Sequence, residues 1–340
     1  MAGMHVHLVG SVGLDSAQEV FATAGRLLGE YLVRVPDGEP GGRRMWINWQ
    51  FPLLRGLSFL HPDWEAKPAV TGCLPLKIVD GTRPEDIHFG ELGYAREART
   101  SYQDFLAAKN SGVLPLHVRF QVCLPTPFAV LRSLVRPSDT QALDTAYESA
   151  MLREVKAICD AIPHNDLCVQ WDICLEMLAF DGRSFVRAFP GMESYFSERF
   201  QRLAKAAPGD VELGYHLCYG DLDGRHSLEP EDAAKLRDMM HLIKSAVDRP
   251  IAYFHMPVPI ERSDEAYFSP LKSLKLDQKT EIFLGLVHAK DGIEGTQKRI
   301  DAARKSIANF GIASECGLSR ARTANFVTDS LAVHALAAKR

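Results

Sequence analysis

Eight short apolar, β-branched runs recur along the chain, and most are separated by stretches whose apolar residues return at helical period. A strand buried on both faces reads as a near-continuous apolar run, and two parallel neighbours need a crossover between them, usually a helix. The alternation therefore predicts an α/β protein with a parallel sheet. The runs are Met4–Gly10, Tyr31–Pro36, Leu116–Cys123, Leu167–Asp172, Val211–Cys218, Ile251–Met256, Ile282–His288 and Ile312–Cys316. Helices are expected at Ser16–Tyr31, Thr140–Ala161, Met192–Ala206, Pro230–Val247, Gly295–Asn309 and Arg322–Ala338. Ser16 and Thr140 are the expected N-caps, and Pro230 suits the first turn of its helix. Eight strands alternating with helices is the count of a single (β/α)8 TIM barrel. The long interval 51–114 carries Pro62, Pro68, Gly72, Pro75 and Gly81, an apolar run Leu74–Val79 and a helix expected over Leu92–Lys109. It reads as an insertion between strands two and three that caps the barrel. No repeat, low-complexity tract or linker divides the chain, so residues 1–340 are expected to form one domain.

Composition narrows the class of function. The chain has 340 residues, 46% hydrophobic and 24% charged, with a net charge of −4, an ordinary composition for a globular protein with a large core. The small negative charge argues against nucleic acid as a partner. No run approaches the roughly 20 apolar residues of a membrane helix. Met1-Ala2-Gly3-Met4-His5-Val6-His7 lacks the basic and apolar regions of a secretory signal, so a cytoplasmic protein is expected. The cysteines are odd in number and scattered, which suits reduced thiols. Cys159, Cys168 and Cys174 read as core residues. A homo-oligomer is left open.

In a barrel of this kind the functional groups sit at the C-terminal ends of the strands and in the loops that follow. Polar and metal-capable residues of this chain gather there: Ser11, Asp37, Glu39, Asp172, His216, Cys218, His255, His288, Lys290 and Cys316. Side chains two apart on a strand point to one side, so His216 and Cys218 share a face. With Cys316, from the Glu315-Cys316-Gly317 turn, they can supply an imidazole and two thiolates to Zn2+. His255 is the fourth ligand by position, or a hydrogen-bonded loop residue.

The turn Asp37-Gly38-Glu39-Pro40-Gly41-Gly42-Arg43-Arg44 carries acids for an ammonium group and guanidiniums for a carboxylate or phosphate, or else is a solvated turn with surface ion pairs. Asp172, ending an apolar run, needs a partner or a ligand; Glu176 is a second acid near it. His288 and Lys290 offer a proton donor. His5 and His7 form the His-x-His pair with which amidohydrolase and deaminase metal sites begin, but those sites also need an aspartate at the end of strand eight. Here that place reads Ser314-Glu315-Cys316-Gly317.

Together these segments resemble the catalytic C-terminal barrel of cobalamin-independent methionine synthase and its shorter stand-alone relatives, in the superfamily that includes uroporphyrinogen decarboxylase. Gly10-Ser11, Asp37-Gly38-Glu39, Gln170-Trp171-Asp172, His216-x-Cys218 and Cys316 within Glu-Cys-Gly-Leu-Ser-Arg carry the resemblance. It implies zinc held by His216, Cys218 and Cys316, and an amino-acid substrate bound through Glu39 and Asp172. It also implies a small thiol such as homocysteine as methyl acceptor and a tetrahydrofolate derivative or other methyl carrier as donor. The family's glutamate ligand on strand six is replaced at the best-placed position by His255, and its catalytic histidine after strand seven aligns with Lys290. The readings set beside methyl transfer are a metal-free decarboxylase-like lyase using Arg43 and Arg44, a hydrolase using His5 and His7, and a corrinoid-binding partner of a multi-component methyltransferase.

Overall fold

The structure, a computed structural model, describes residues 3–69, 72–221, 224–320 and 322–340. Eight parallel strands form one sheet: β1 (Val6–His7), β2 (Arg34–Pro36), β5 (Arg119–Pro125), β6 (Leu167–Ile173), β7 (Glu212–Leu217), β8 (Tyr253–Pro257), β9 (Glu281–Val287) and β10 (Gly311–Ser314). The spatial order is β1-β10-β9-β8-β7-β6-β5-β2, and a parallel bridge between Val6 and Leu32 joins the two edges. The molecule is thus a (β/α)8 TIM barrel. The two remaining strands, β3 (Leu60–Pro62) and β4 (Leu76–Ile78), make a separate antiparallel pair.

The outer ring forms because each helix presents one apolar stripe to the strands. In α1 (Ala17–Leu28) the stripe is Ala17, Val20, Phe21, Ala24 and Leu28. Ser16 does cap this helix, its hydroxyl accepting from the Glu19 N–H at 3.2 Å. The chain continues through α2 (Gln50–Arg55), α3 (Tyr94–Asn110), α4 (Pro127–Leu134), α5 (Thr140–Ala161), α6 (Leu175–Asp181), α7 (Met192–Ala206), α8 (Ala234–Ala246), the one-turn α9 (Glu265–Phe268), α10 (Gly292–Arg304) and α11 (Ala324–Ala338). Among the described residues no helix is long and apolar enough to cross a membrane.

Two local expectations fail for identifiable reasons. Thr140 is already helical and its hydroxyl donates to the Pro137 carbonyl, so it caps nothing; the N-cap position is Asp139, whose carboxylate instead accepts from the Ile78 N–H. Helix α8 begins at Ala234, where the Asp232 carboxylate takes the first N–H, and leaves Pro230 outside it. Of the segment 51–114, α3 packs between α1 and α5 in the outer ring. The stretch 45–48, just before that segment, reaches the barrel mouth.

Register decides what meets at that mouth. Asp172 on β6 pairs with His216 on β7, which pairs with His255 on β8, so the three stand at one level. Below them the barrel is filled by a polar layer: Gln170 accepts from the Tyr253 hydroxyl at 2.9 Å and lies 3.1 Å from His7 Nε2. A register shift between Ile312 and Ser314 against β9 re-aims the chain just before Cys316.

Candidate metal centre

His216 is the penultimate residue of β7, Cys218 follows that strand, and Cys316 lies just beyond β10. Their ligand atoms all lie within 4.8 Å of one another. Cys218 Sγ is 3.6 Å from Cys316 Sγ, and Cys316 Sγ is 3.8 Å from His216 Nε2. Zinc–sulfur and zinc–nitrogen bonds of tetrahedral sites set the corresponding edges at roughly 3.8 and 3.6 Å. The donor set therefore fits a soft divalent ion in its chemistry, and both edges made by Cys316 fit it in spacing. All three side chains are buried. Gly317 allows the approach of the Cys316 turn to the first loop, since a Cβ there would come within 2.1 Å of Ser11 Oγ.

The electrostatics call for positive charge. The Cys174 thiol raises the pKa of Cys218, the Cys218 thiol raises that of Cys316, and burial adds to both, so each thiol sits well above its ordinary value. The nearest guanidinium is Arg320, with Nη2 3.8 Å from Cys316 Sγ. The Gly220 N–H donates to Cys218 Sγ at 3.3 Å.

The thiols open onto a cavity of about 380 Å3, lined also by Ser11, Glu39, Trp46, Asp172, Cys174, His226 and Arg320. Asp172 accepts from Gln170 Nε2 at 2.9 Å and from Trp46 Nε1 at 3.1 Å, yet burial pushes its pKa up to about 7. Glu39 is pushed to about 8 by burial and by the charge of Asp172. Glu39 and Trp46 are the non-glycine residues with positive φ among those described, at 53° and 55°, so backbone strain is concentrated on this wall. Phe185 and Met45, 55% and 46% exposed, stand at its apolar rim.

Other residues singled out in the sequence lie elsewhere. His255 does not join the donor cluster: its Nδ1 faces His216 Nδ1 at 2.7 Å, and its Nε2 faces the Ser314 carbonyl at 2.9 Å. Asp37 holds its own turn, accepting from Arg43 at 2.7 Å, the Ser101 hydroxyl at 2.6 Å and the Glu39 N–H at 2.9 Å. Arg43 also faces Glu97, and Arg44 donates to the Leu14 carbonyl and to Asp15, so neither guanidinium lines the cavity. Glu176 is fully buried against the Thr126 hydroxyl, outside the cavity.

His288 faces the Val258 carbonyl, and burial lowers its pKa to about 4; Lys290 is exposed. Neither lines the cavity. His5 pairs with Glu281 and His7 with Gln170, so the two imidazoles have separate partners and make no joint site. His226, Arg320 and Trp46 are the groups missed by sequence reasoning. They lie in loops, where no periodicity marks a side chain's direction.

No family profile matches the chain, and no curated protein sequence does. Solved structures do. A Listeria monocytogenes protein named as a candidate vitamin B12-independent methionine synthase shares 16% identity, with a TM-score of 0.64 over 100% of this chain and 98% of that one. A B12-independent methionine synthase from Shewanella sp. W3-18-1, solved with selenomethionine, shares 12% identity, with a TM-score of 0.55 over 98% of this chain and 97% of that one. At such identities the likeness speaks for the fold alone, and this chain shares that barrel fold over essentially its whole length.

Proposed function

We propose that this barrel is a zinc-dependent methyltransferase that moves a methyl or related one-carbon group to or from a thiol of amino-acid type. The convergence of His216, Cys218 and Cys316 at the floor of an open cavity carries the reading. Zinc bound there would supply Lewis acidity that lowers the pKa of a substrate thiol toward neutrality.

The chain's own residues bind and orient. Glu39 and Asp172, two carboxylates in a dry wall, are neutralised by a substrate ammonium group, and Arg320 offers its guanidinium to the carboxylate. Ser11 offers a hydroxyl beside them. In the direction of thiol methylation the acceptor sulfur loses its proton and forms the new S–CH3 bond, while the donor–CH3 bond breaks with its electron pair leaving on the donor. The donor then needs a proton. His226 lines the cavity with its Nδ1 3.0 Å from Glu229 and its Nε2 3.4 Å from a carboxylate oxygen of Glu315. Burial works against its charge, but Glu229 and Glu315 outweigh it and hold the pKa above the usual value.

The apolar rim at Met45, Ile47 and Phe185 suits a donor with a flat apolar part, such as a tetrahydrofolate derivative. Selenomethionine in the Shewanella protein is an amino acid carrying a methylated chalcogen, the product class of this reading. The decarboxylase-like alternative relied on Arg43 and Arg44, which have other partners. Incubating zinc-loaded protein with isotope-labelled methyltetrahydrofolate or methylcobalamin and homocysteine tests the proposal. Label appearing in methionine supports it; label remaining in every donor tried, with zinc bound, argues against it.

A further inference from the structure

The edge of His216 that faces away from the thiols lies against His255, Nδ1 to Nδ1 at 2.7 Å. The other nitrogen of His255, Nε2, is 2.9 Å from the Ser314 carbonyl oxygen. A carbonyl only accepts, so His255 Nε2 carries the hydrogen. His255 is 0% exposed and has no carboxylate among its hydrogen-bond partners. A cation there would lose its hydration without compensation. The ring is therefore neutral and keeps a lone pair on Nδ1. A 2.7 Å contact between two nitrogens needs one hydrogen, and the remaining source is His216 Nδ1. That leaves the lone pair of His216 on Nε2, the atom that faces Cys316.

We propose that His255 is a positioning residue: it locks His216 in the Nδ1–H form, so that Nε2 stands ready as a donor atom beside Cys218 and Cys316. The fourth-ligand position read from the sequence thus becomes a support behind the third donor. Its other bond tightens the same centre. Ser314 lies two residues before Cys316, and its hydroxyl donates to the Cys316 carbonyl at 2.7 Å. One imidazole therefore ties the strand of His216 to the strand end of Cys316. Three protein donors with one open position is the pattern of catalytic rather than structural zinc. The inference rests on the metal reading above.

The test begins without metal. In metal-free protein labelled with 15N-histidine, long-range 15N–1H correlations report which nitrogen of each ring is protonated. His216 is expected as Nδ1–H and His255 as Nε2–H. His255→Gln, whose amide can accept and donate along the same two directions, is expected to keep that form and to hold zinc within about threefold of wild type, whereas His255→Leu loses about 10–100-fold in affinity. His216 protonated at Nε2 in the wild type overturns the proposal, as does a folded His255→Leu protein that binds zinc as tightly as wild type. Should His255→Leu fail to fold, the wild-type tautomer and the His255→Gln affinity decide. Wild-type protein that shows these tautomers but takes up no zinc overturns the metal reading while supporting the assignment of His255.

Discussion

Cys218 and Cys316 are 98 positions apart in the chain, yet their sulfurs lie 3.6 Å from one another on the floor of the barrel mouth. Both sulfurs are buried, and Cys174 beside Cys218, Cys218 beside Cys316 and the burial itself all work against a negative charge on either. A divalent cation resolves that conflict, because it stabilises both thiolates at once. Removing either sulfur leaves two donors. Cys218→Ser and Cys316→Ser are each expected to lower zinc affinity by at least about 100-fold, read by competition with a chelating dye.

The acid wall gives a pH signature. Asp172 and Glu39 are raised to about 7 and about 8 in the folded chain, from ordinary values near 4. Between pH 4 and 8 the folded state then binds more protons than the unfolded state. Stability is full at the acid end of that window and falls as pH rises, by at most about 1.4 kcal/mol per pH unit for each group. Ligand-free wild type should therefore melt at lower temperature at pH 8 than at pH 5.5, and Asp172→Asn should flatten the slope. An unchanged slope in Asp172→Asn contradicts the burial argument.

The Trp46 indole N–H is one of the two donors that hold the Asp172 carboxylate. Trp46→Phe keeps the ring and removes the donor. A hydrogen bond to a charged group is worth about 1.5–3 kcal/mol, so KM for the amino-acid substrate should rise about 10–100-fold with a smaller change in kcat.

Two histidines separate by role. His226 opens on the cavity and His288 does not. If His226 gives the proton to the departing donor, His226→Ala should lower kcat by about 10²–10⁴-fold. His288→Ala should cost less than about fivefold, since its ring faces the Val258 carbonyl and the Glu315 carboxylate rather than the cavity, and general acid catalysis needs contact with the reacting group. Equal losses in the two variants contradict the assignment.

The barrel was legible because its strands are buried on both faces and so read as apolar runs, while its helices keep one stripe. The pairing of His216 with Cys218 was legible for the same reason: period two puts both on one side. The role of His255 was not. Residue type and strand order bring it near the metal, but only the register His216–His255 shows it behind the imidazole. For Arg43 and Arg44 the turn left two readings, an anion clamp or ion pairs; Arg43 pairs with Asp37 of its own turn, whereas the Leu14 carbonyl that takes Arg44 is brought there by tertiary contact. Arg320 and His226 come from loops whose path is set by tertiary contacts, beyond the reach of any pattern in the chain.

Zinc content read by mass spectrometry together with X-ray absorption at the zinc edge tests directly whether His216, Cys218 and Cys316 share one ion. About one zinc per chain is expected after metal-replete expression, with two sulfur neighbours and at least one imidazole nitrogen, falling to one sulfur in Cys316→Ser. Less than about half an equivalent in the wild type, or a zinc environment that does not change in Cys218→Ser, would contradict it.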